Sequence, residues 1–190
     1  IMLDARPLDA LAAVAEHDLS LAKLFEGHTD ALAILRELGE PALAGATWAV
    51  WAAEAPEGRA LIERAGDGGL RLHGAKCWCS GAADVSHGLL TAWDEDGRGP
   101  QLAMLPMAQS AISVSRDAWH AVGMADSASL KVSFHGAHAQ PVGNPGDYLS
   151  RAGFWQGGAG VAACWYGGAR ALGESLRQAV ADAEQGAVHP

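Results

Sequence analysis

Apolar and polar positions follow three successive rhythms along the chain. In the first, apolar residues recur at helical spacing. Leu8, Leu11, Ala12 and Ala15 predict one helix, with Pro7 tolerable in its opening turn. A second helix is predicted after Asp18, where Leu21, Leu24, Phe25, His28, Leu32 and Leu35 lie along one stripe. Gly39 supplies its stop and Pro41 forbids resumption. His28 sits on the stripe and reads as a packing histidine rather than a ligand, because no second ligand stands four residues on.

After Pro41 short apolar runs alternate with turns rich in Gly, Asp and Pro. Strands are predicted at Trp48 to Ala53, Leu70 to His73, Lys76 to Ser80, Leu89 to Trp93, Gln101 to Leu105, Ile112 to Ser115 and Leu130 to Phe134. Asp67-Gly68-Gly69 reads as a turn, and Asp94 to Pro100 as a hairpin loop. Strands at such short intervals favour an antiparallel barrel or sandwich.

From Gly146 the helical texture returns. Trp155 to Gly160 is glycine-rich, and Val161 to Ala183 is dominated by good helix formers. Gly157, Gly158, Gly160, Gly167 and Gly168 would let a neighbouring helix approach closely. This is the pattern of one helix from a bundle whose other members lie outside these residues, and Gly186 to Pro190 reads as a frayed end. The expected organisation is α+β, with a helical segment over 1–44, a β domain over 45–145 and a helical segment over 146–190.

Composition narrows the class. The 190 residues are 49% hydrophobic, yet no apolar run approaches a membrane span and no charged-then-apolar leader opens the chain. A net charge of −9 without a Lys/Arg cluster argues against nucleic acid or an anionic membrane as partner. Three cysteines do not make a disulfide framework, so a reduced, cytoplasmic setting is expected. With Ile1 ahead of Met2, a piece of a longer chain is also expected.

The stretch Gly74-Ala75-Lys76-Cys77-Trp78-Cys79-Ser80-Gly81-Ala82 carries the candidate chemistry. Trp78 and Ser80 are two residues apart, which on a regular strand puts indole and hydroxyl on one face. Opening onto Gly81-Ala82, that pair suits a planar heteroaromatic ring, while the plainer account is a core Trp with a strand-end Ser. Other motifs carry less. Gly158-Ala159-Gly160-Val161-Ala162-Ala163 matches GxGxxA, but the residues before it are too polar and glycine-broken for the buried strand that a dinucleotide fold needs. Cys77 and Cys79 with His73 or His87 lack a zinc-like CxxC pair. His135 and His138 read as surface histidines on a loop, and no serine is framed as GxSxG.

In order along the chain, four stretches resemble the acyl-CoA dehydrogenase family of flavoproteins. These are Phe25-Glu26-Gly27-His28; Gly74 to Gly81; Val122-Gly123-Met124 with Ser127, Ser129 and Leu130 to Phe134; and Val161-Ala162-Ala163 with Gly167. The resemblance implies an N-terminal helical domain, a middle β domain and the first helix of a C-terminal four-helix domain. It implies FAD as cofactor, with Trp78 against the isoalloxazine and Ser80 hydrogen-bonded near N5. Ala52 and Ala53, at a Thr-Glu-Pro-like strand end before Glu54 and Pro56, would offer backbone groups. With Cys79, these are the implied cofactor-contacting positions.

The implied reaction is α,β-dehydrogenation of an acyl thioester, on CoA or a carrier protein, with an electron-transfer acceptor as partner and a homodimer or homotetramer as the assembly. Several positions depart from the family pattern. Glu57-Gly58-Arg59-Ala60 replaces a Gly-Ala-Gly-Ser-Asp loop, and Ala125 and Ala159 stand where the family has Arg. An alternative base position falls at Gly158, so no catalytic base is assigned. Asp126 and Glu54, the acids near the implied flavin face, read as turn or surface groups. The other class of reading is a non-catalytic relative that keeps the fold as a binding or assembly module.

Overall fold

Two helices, α1 (Ala5–His17) and α2 (Leu19–Glu37), open the fold. The computed structural model describes residues 5–66, 68–94, 99–117 and 119–187. Asp18 caps α2, its carboxylate accepting a 2.7 Å hydrogen bond from the Leu21 amide. The deepest face of α2 differs from the leucine stripe that periodicity predicts. Ala22, Glu26, Gly27, Ala31, Ile34 and Leu35 are buried, whereas Leu21 is exposed. Small residues prevail there because the helix lies close against a strand: a Cβ on Gly27 would sit 3.7 Å from the Val50 amide nitrogen. His28 has a definite role, since its Nδ1 accepts the Trp48 backbone N–H at 3.1 Å.

Seven strands follow: β1 (Trp48–Trp51), β2 (Ala60–Arg64), β3 (Leu70–Cys79), β4 (His87–Ala92), β5 (Gln101–Pro106), β6 (Ile112–Ser115) and β7 (Leu130–Val142). The predicted strands at 70–73 and 76–80 merge into β3, while β2 was hidden by its charged, half-exposed sequence. The order is β1-β4-β5-β7-β3-β2, with β6 added on β7. Pairing is mixed rather than wholly antiparallel. β1 runs parallel to β4, and β2 reaches the residue after β4 through a parallel bridge, with Ile62 N–H donating to Trp93 O at 2.8 Å. Both contacts join segments whose connection crosses the sheet, which a chain of simple hairpins cannot do. β4 and β5 pair antiparallel, but the tip of the predicted loop between them, residues 95–98, lies outside the described residues.

Two apolar cores flank the sheet. One gathers Trp51, Ile62, Leu72, Cys79, Leu105 and Phe134; the other seats Ala31, Ile34 and Leu35 of α2 on Trp48, Leu89, Leu102 and Val142. His135 and His138 lie within β7 rather than on a loop. The pairing of β3 with β7 shifts register between Leu72 and His73, so β7 bends through Gly136 and still continues.

A short helix α3 (Asp147–Ser150) leads into α4 (Phe154–Ala187), which begins before the expected Val161 and absorbs the glycine run. The GxGxxA match is therefore internal to a helix. Tertiary contact outweighs the poor helix propensity of those glycines. A Cβ on Gly167 would stand 2.1 Å from the Ala12 carbonyl oxygen, and one on Gly168 2.9 Å from Leu19 Cδ2. Gly158, by contrast, meets nothing within 4 Å. Arg151, its side chain buried, bonds Asp30 at 3.3 Å and Glu37 at 3.1 Å and ties the entry of α4 to α2. Arg170 and Glu16 pair between α4 and α1. Trp165, Leu172, Leu176 and Val180 of α4 are exposed. Among the described residues no helix is long and apolar enough to cross a membrane.

The close approach of α1 and α4 makes Gly167 the most tightly packed of the described glycines. Gly167→Val is expected to lower unfolding free energy by about 1–3 kcal/mol, read as a lower denaturation midpoint. An unmoved midpoint would contradict the α1–α4 contact.

Candidate functional site

The end of β3 is shaped by a bulge. Leu70, Leu72 and Lys76 face inward on alternate positions, and simple alternation would send Trp78 inward as well. Instead the register with β7 steps from Lys76↔Val132 to Cys79↔Leu130, leaving one extra residue on β3. Trp78 takes up the difference in the left-handed region at φ 59° and is turned outward, 54% exposed. Cys79 inherits the inward position, its thiol in the core, where burial pushes its pKa far above the ordinary range. Only the backbone of Cys79 is thus left to contact a ligand. The expectation that Trp78 and Ser80 share a face by strand alternation is corrected here, since Ser80 lies beyond the strand end and is buried.

Behind the bulge lies a buried cation that motif reading passed over. Lys76 is wholly buried, and its ammonium donates to Glu54 Oε1 at 2.6 Å, Thr91 Oγ1 at 2.7 Å and Thr91 O at 3.0 Å. All three of its protons are satisfied. Thr91 Oγ1 in turn donates to Glu54 Oε1 at 2.6 Å. Glu54 is therefore the counter-ion of a buried lysine, not a free surface group. Burial by itself would raise its pKa, but the hydrogen bonds from Lys76 and Thr91 and the lysine charge outweigh it and hold the carboxyl below its usual value. The Lys76 pKa is lowered by burial, which Glu54 partly offsets. Parity was the available signal: a lysine in register with Leu70 and Leu72 on the inner face requires acceptors for its protons, an acid among them.

A second tie fixes Ser80. Trp51 Nε1 donates to the Ser80 carbonyl at 3.1 Å, and the Trp51 ring packs so closely over β4 that a Cβ on Gly88 would fall 2.5 Å from it. The Gly81 amide donates to Ser127 O at 3.0 Å. Ser80 Oγ lies 2.7 Å from Ser129 Oγ, itself 3.2 Å from Ser127 Oγ, so three buried hydroxyls form a chain. The two ties, Lys76–Glu54 and Trp51–Ser80, hold the end of β1 against the end of β3. Ala52 and Ala53 follow β1 directly, Ala52 half-buried and Ala53 exposed.

Two clefts open along α2. A narrow one of about 10 Å³ is bounded by Leu24, Gly27, Trp48, Val50, Ser80 and Val85, with Lys23 at its mouth. A larger one of about 90 Å³ lies between α2, α4 and Met124, walled by Leu19, Val161, Cys164 and Trp165 and carrying the Lys23–Glu26 ion pair at 2.8 Å. Trp78 lines neither cleft. Asp126 is exposed on the 3₁₀ turn Ala125–Ser127. Among the described residues no group of three or more His, Cys, Asp or Glu is placed to hold a metal.

No protein-family model and no curated protein sequence matches the chain, but solved structures do. KijD3 in complex with FMN and dTDP-3-amino-2,3,6-trideoxy-4-keto-3-methyl-D-glucose is 22% identical with a TM-score of 0.73, over 90% of this chain and 48% of that one. TdsC from Paenibacillus sp. A11-2 with FMN and indole is 24% identical with a TM-score of 0.64, over 76% of this chain and 41% of that one. Methanesulfinate monooxygenase MsuC from Pseudomonas fluorescens is 25% identical with a TM-score of 0.62, over 73% of this chain and 38% of that one. The chain thus shares their fold and spans less than half the length of each.

Removing the ammonium leaves an acid without its partner behind the site. Lys76→Met is expected to cost about 1–3 kcal/mol, less than a wholly buried pair would because Glu54 is partly exposed, and Lys76→Met with Glu54→Gln to recover part of it, both read by chemical denaturation. Because the folded pKa of Glu54 is depressed, its stabilisation is complete above the ordinary value of 4.5 and is lost as pH falls through the lowered one. Glu54→Gln should flatten that acid limb; an unchanged limb would exclude Glu54 as its source.

Proposed function

We propose that this chain forms the ring-contacting part of a flavin-dependent oxidoreductase. The observation that carries the reading is the junction at the end of β3, where a bulge turns the Trp78 indole outward two residues before Ser80, a buried residue that lines a cleft. That donor set fits a flat heteroaromatic ring, with an apolar indole face to pack on, a hydroxyl for a ring nitrogen, and backbone groups at Ala52, Ala53 and Cys79 for ring carbonyls. Bound flavin would supply two-electron redox chemistry. Trp78 would hold the ring plane, Ser80 would meet its N5 edge, and the pair of buried Lys76 with Glu54 would keep the two strand ends in register around it.

The fold neighbours solved with FMN support a flavin, and FMN is as well supported as the FAD that the family resemblance implies. Within this reading two substrate classes compete. Dehydrogenation of an acyl thioester follows from the resemblance. Against it, Ala125 and Ala159 stand at the family's Arg positions and Glu57 to Ala60 at its loop. A flavin-dependent monooxygenase-type reaction on a small, largely apolar substrate accommodates those departures better. The larger cleft, walled by Leu19, Met124, Val161, Cys164 and Trp165, would receive that substrate. The exposed apolar side chains of α4 support association with further helices, including those of a second copy in a homodimer or homotetramer. An electron-transfer acceptor belongs to the dehydrogenase version alone.

The test is flavin titration of the protein, followed by absorbance and fluorescence, with FMN and FAD compared. Retention of either is expected, and Trp78→Ala should weaken it by roughly 1–3 kcal/mol of lost aromatic packing. Failure to take up either flavin would overturn the reading, and unchanged affinity in Trp78→Ala would remove the role of the indole.

A further inference from the structure

Three non-glycine residues among those described adopt a positive φ, and all three surround one group of hydroxyls. Trp78 (φ 59°) lies two residues before Ser80, while Met124 (φ 57°) and Ala128 (φ 40°) bracket Ser127, with Ala128 directly before Ser129. Such conformations persist only where the surroundings enforce them, and they concentrate at functional sites. What they hold in place here is the chain Ser127 Oγ–Ser129 Oγ–Ser80 Oγ, with separations of 3.2 and 2.7 Å.

The chain has a direction. Three hydroxyls carry three protons and share two hydrogen bonds, so one proton is left over: at an end or, if Ser129 accepts from both neighbours, on buried Ser129 itself, whose hydroxyl has no further acceptor among the described residues. Ser127 is 1% exposed, and among the described residues its hydroxyl has no hydrogen-bond partner other than Ser129. If Ser80 donated to Ser129 and Ser129 to Ser127, the surplus proton would sit on Ser127 with no acceptor, at the full desolvation cost of an unpaired donor. If Ser127 donates to Ser129 and Ser129 to Ser80, the surplus proton sits on Ser80, a residue that lines the narrow cleft along α2. The second arrangement wastes nothing.

We infer that Ser129 and Ser127 are positioning residues that polarise Ser80, so that Ser80 accepts from the protein and presents its own proton to the ligand. The Ser80 hydroxyl would then act as a dedicated donor to an acceptor atom such as an unprotonated ring nitrogen. Naming the ligand rests on the flavin reading; the polarity of the chain does not.

The test therefore uses a readout that needs no flavin. Ser80→Cys replaces the hydroxyl with a thiol whose ionisation reports the hydrogen bond it receives. Alkylation by iodoacetamide is followed against pH, with peptide mass spectrometry separating this site from Cys77, Cys79 and Cys164. With Ser129 donating, the thiolate is stabilised. Adding Ser129→Ala should raise the midpoint of the profile and slow alkylation near neutral pH by roughly threefold to tenfold, the effect of losing a hydrogen bond to the charged form. Ser129→Thr, which keeps the hydroxyl, should restore the profile, and Ser127→Ala should move it in the same direction as Ser129→Ala but less. The proposal is overturned if Ser129→Ala or Ser127→Ala leaves the profile unmoved while the variants stay folded by circular dichroism, or if the introduced thiol is not alkylated at all, since it would then not face the cleft. A parallel FMN titration of the unsubstituted protein separates the two claims, because absent binding sinks the flavin reading while the thiol profile still decides the polarity.

Discussion

A lysine ammonium with no access to water sets the terms for the rest of the structure. Lys76 is on the inner face of β3, and a charge there is tolerable only if every proton finds an acceptor. Glu54, three residues past β1, and Thr91, near the end of β4, meet that demand. Three strand ends are thereby held at one point, and the residues beyond them, Ala52-Ala53 after β1 and Trp78 to Ser80 at the end of β3, are brought together. Apolar packing could hold the same strands, but it would not dictate register so sharply, because an ammonium displaced by one residue would lose its acceptors.

The bulge beside that lysine converts a strand into a site. One extra residue between Lys76 and Cys79 rotates the indole out of the core and lets Cys79 fill the place it would have taken. The backbone conformation at Trp78 is costly for a residue with a Cβ, and the neighbouring contacts are what sustain it. Trp51 grips the Ser80 carbonyl, Ser127 O receives the Gly81 amide, and Ser129 engages the Ser80 hydroxyl. A half-exposed aromatic side chain thus stands two residues from an immobilised, buried hydroxyl.

Around this centre the helices follow a different rule. They approach through small residues, Gly27 of α2 beside β1 and Gly167 of α4 against α1, and at Gly167 the backbones meet where a side chain would have kept them apart. The resulting clefts are narrow and mostly apolar, with the Lys23–Glu26 pair as the charged feature of the larger one. On its other face α4 presents Trp165, Leu172, Leu176 and Val180 to solvent, a surface suited to further protein contacts rather than to water.

Local sequence alone determined a good deal. Asp18 capping α2, the strand at Ile112 to Ser115 and the helical character after Gly146 rest on capping and periodicity, which act over a few residues. The Trp78–Ser80 stretch also stood out for its indole and hydroxyl, although the shared face that regular alternation implied did not survive the bulge. Tertiary structure decided the rest, because each remaining question concerned partners distant in the chain. Parallel pairing of β1 with β4 depends on a crossing connection, and β2 gains its strand conformation from β3 and Trp93 rather than from its own charged residues. Whether Trp78 points in or out turned on a one-residue mismatch with β7, some fifty residues away in sequence. The pairing of Lys76 with Glu54 and of Ser80 with Ser129 is likewise invisible to local pattern, since hydrogen bonds between side chains exist only once the fold has brought their atoms within reach.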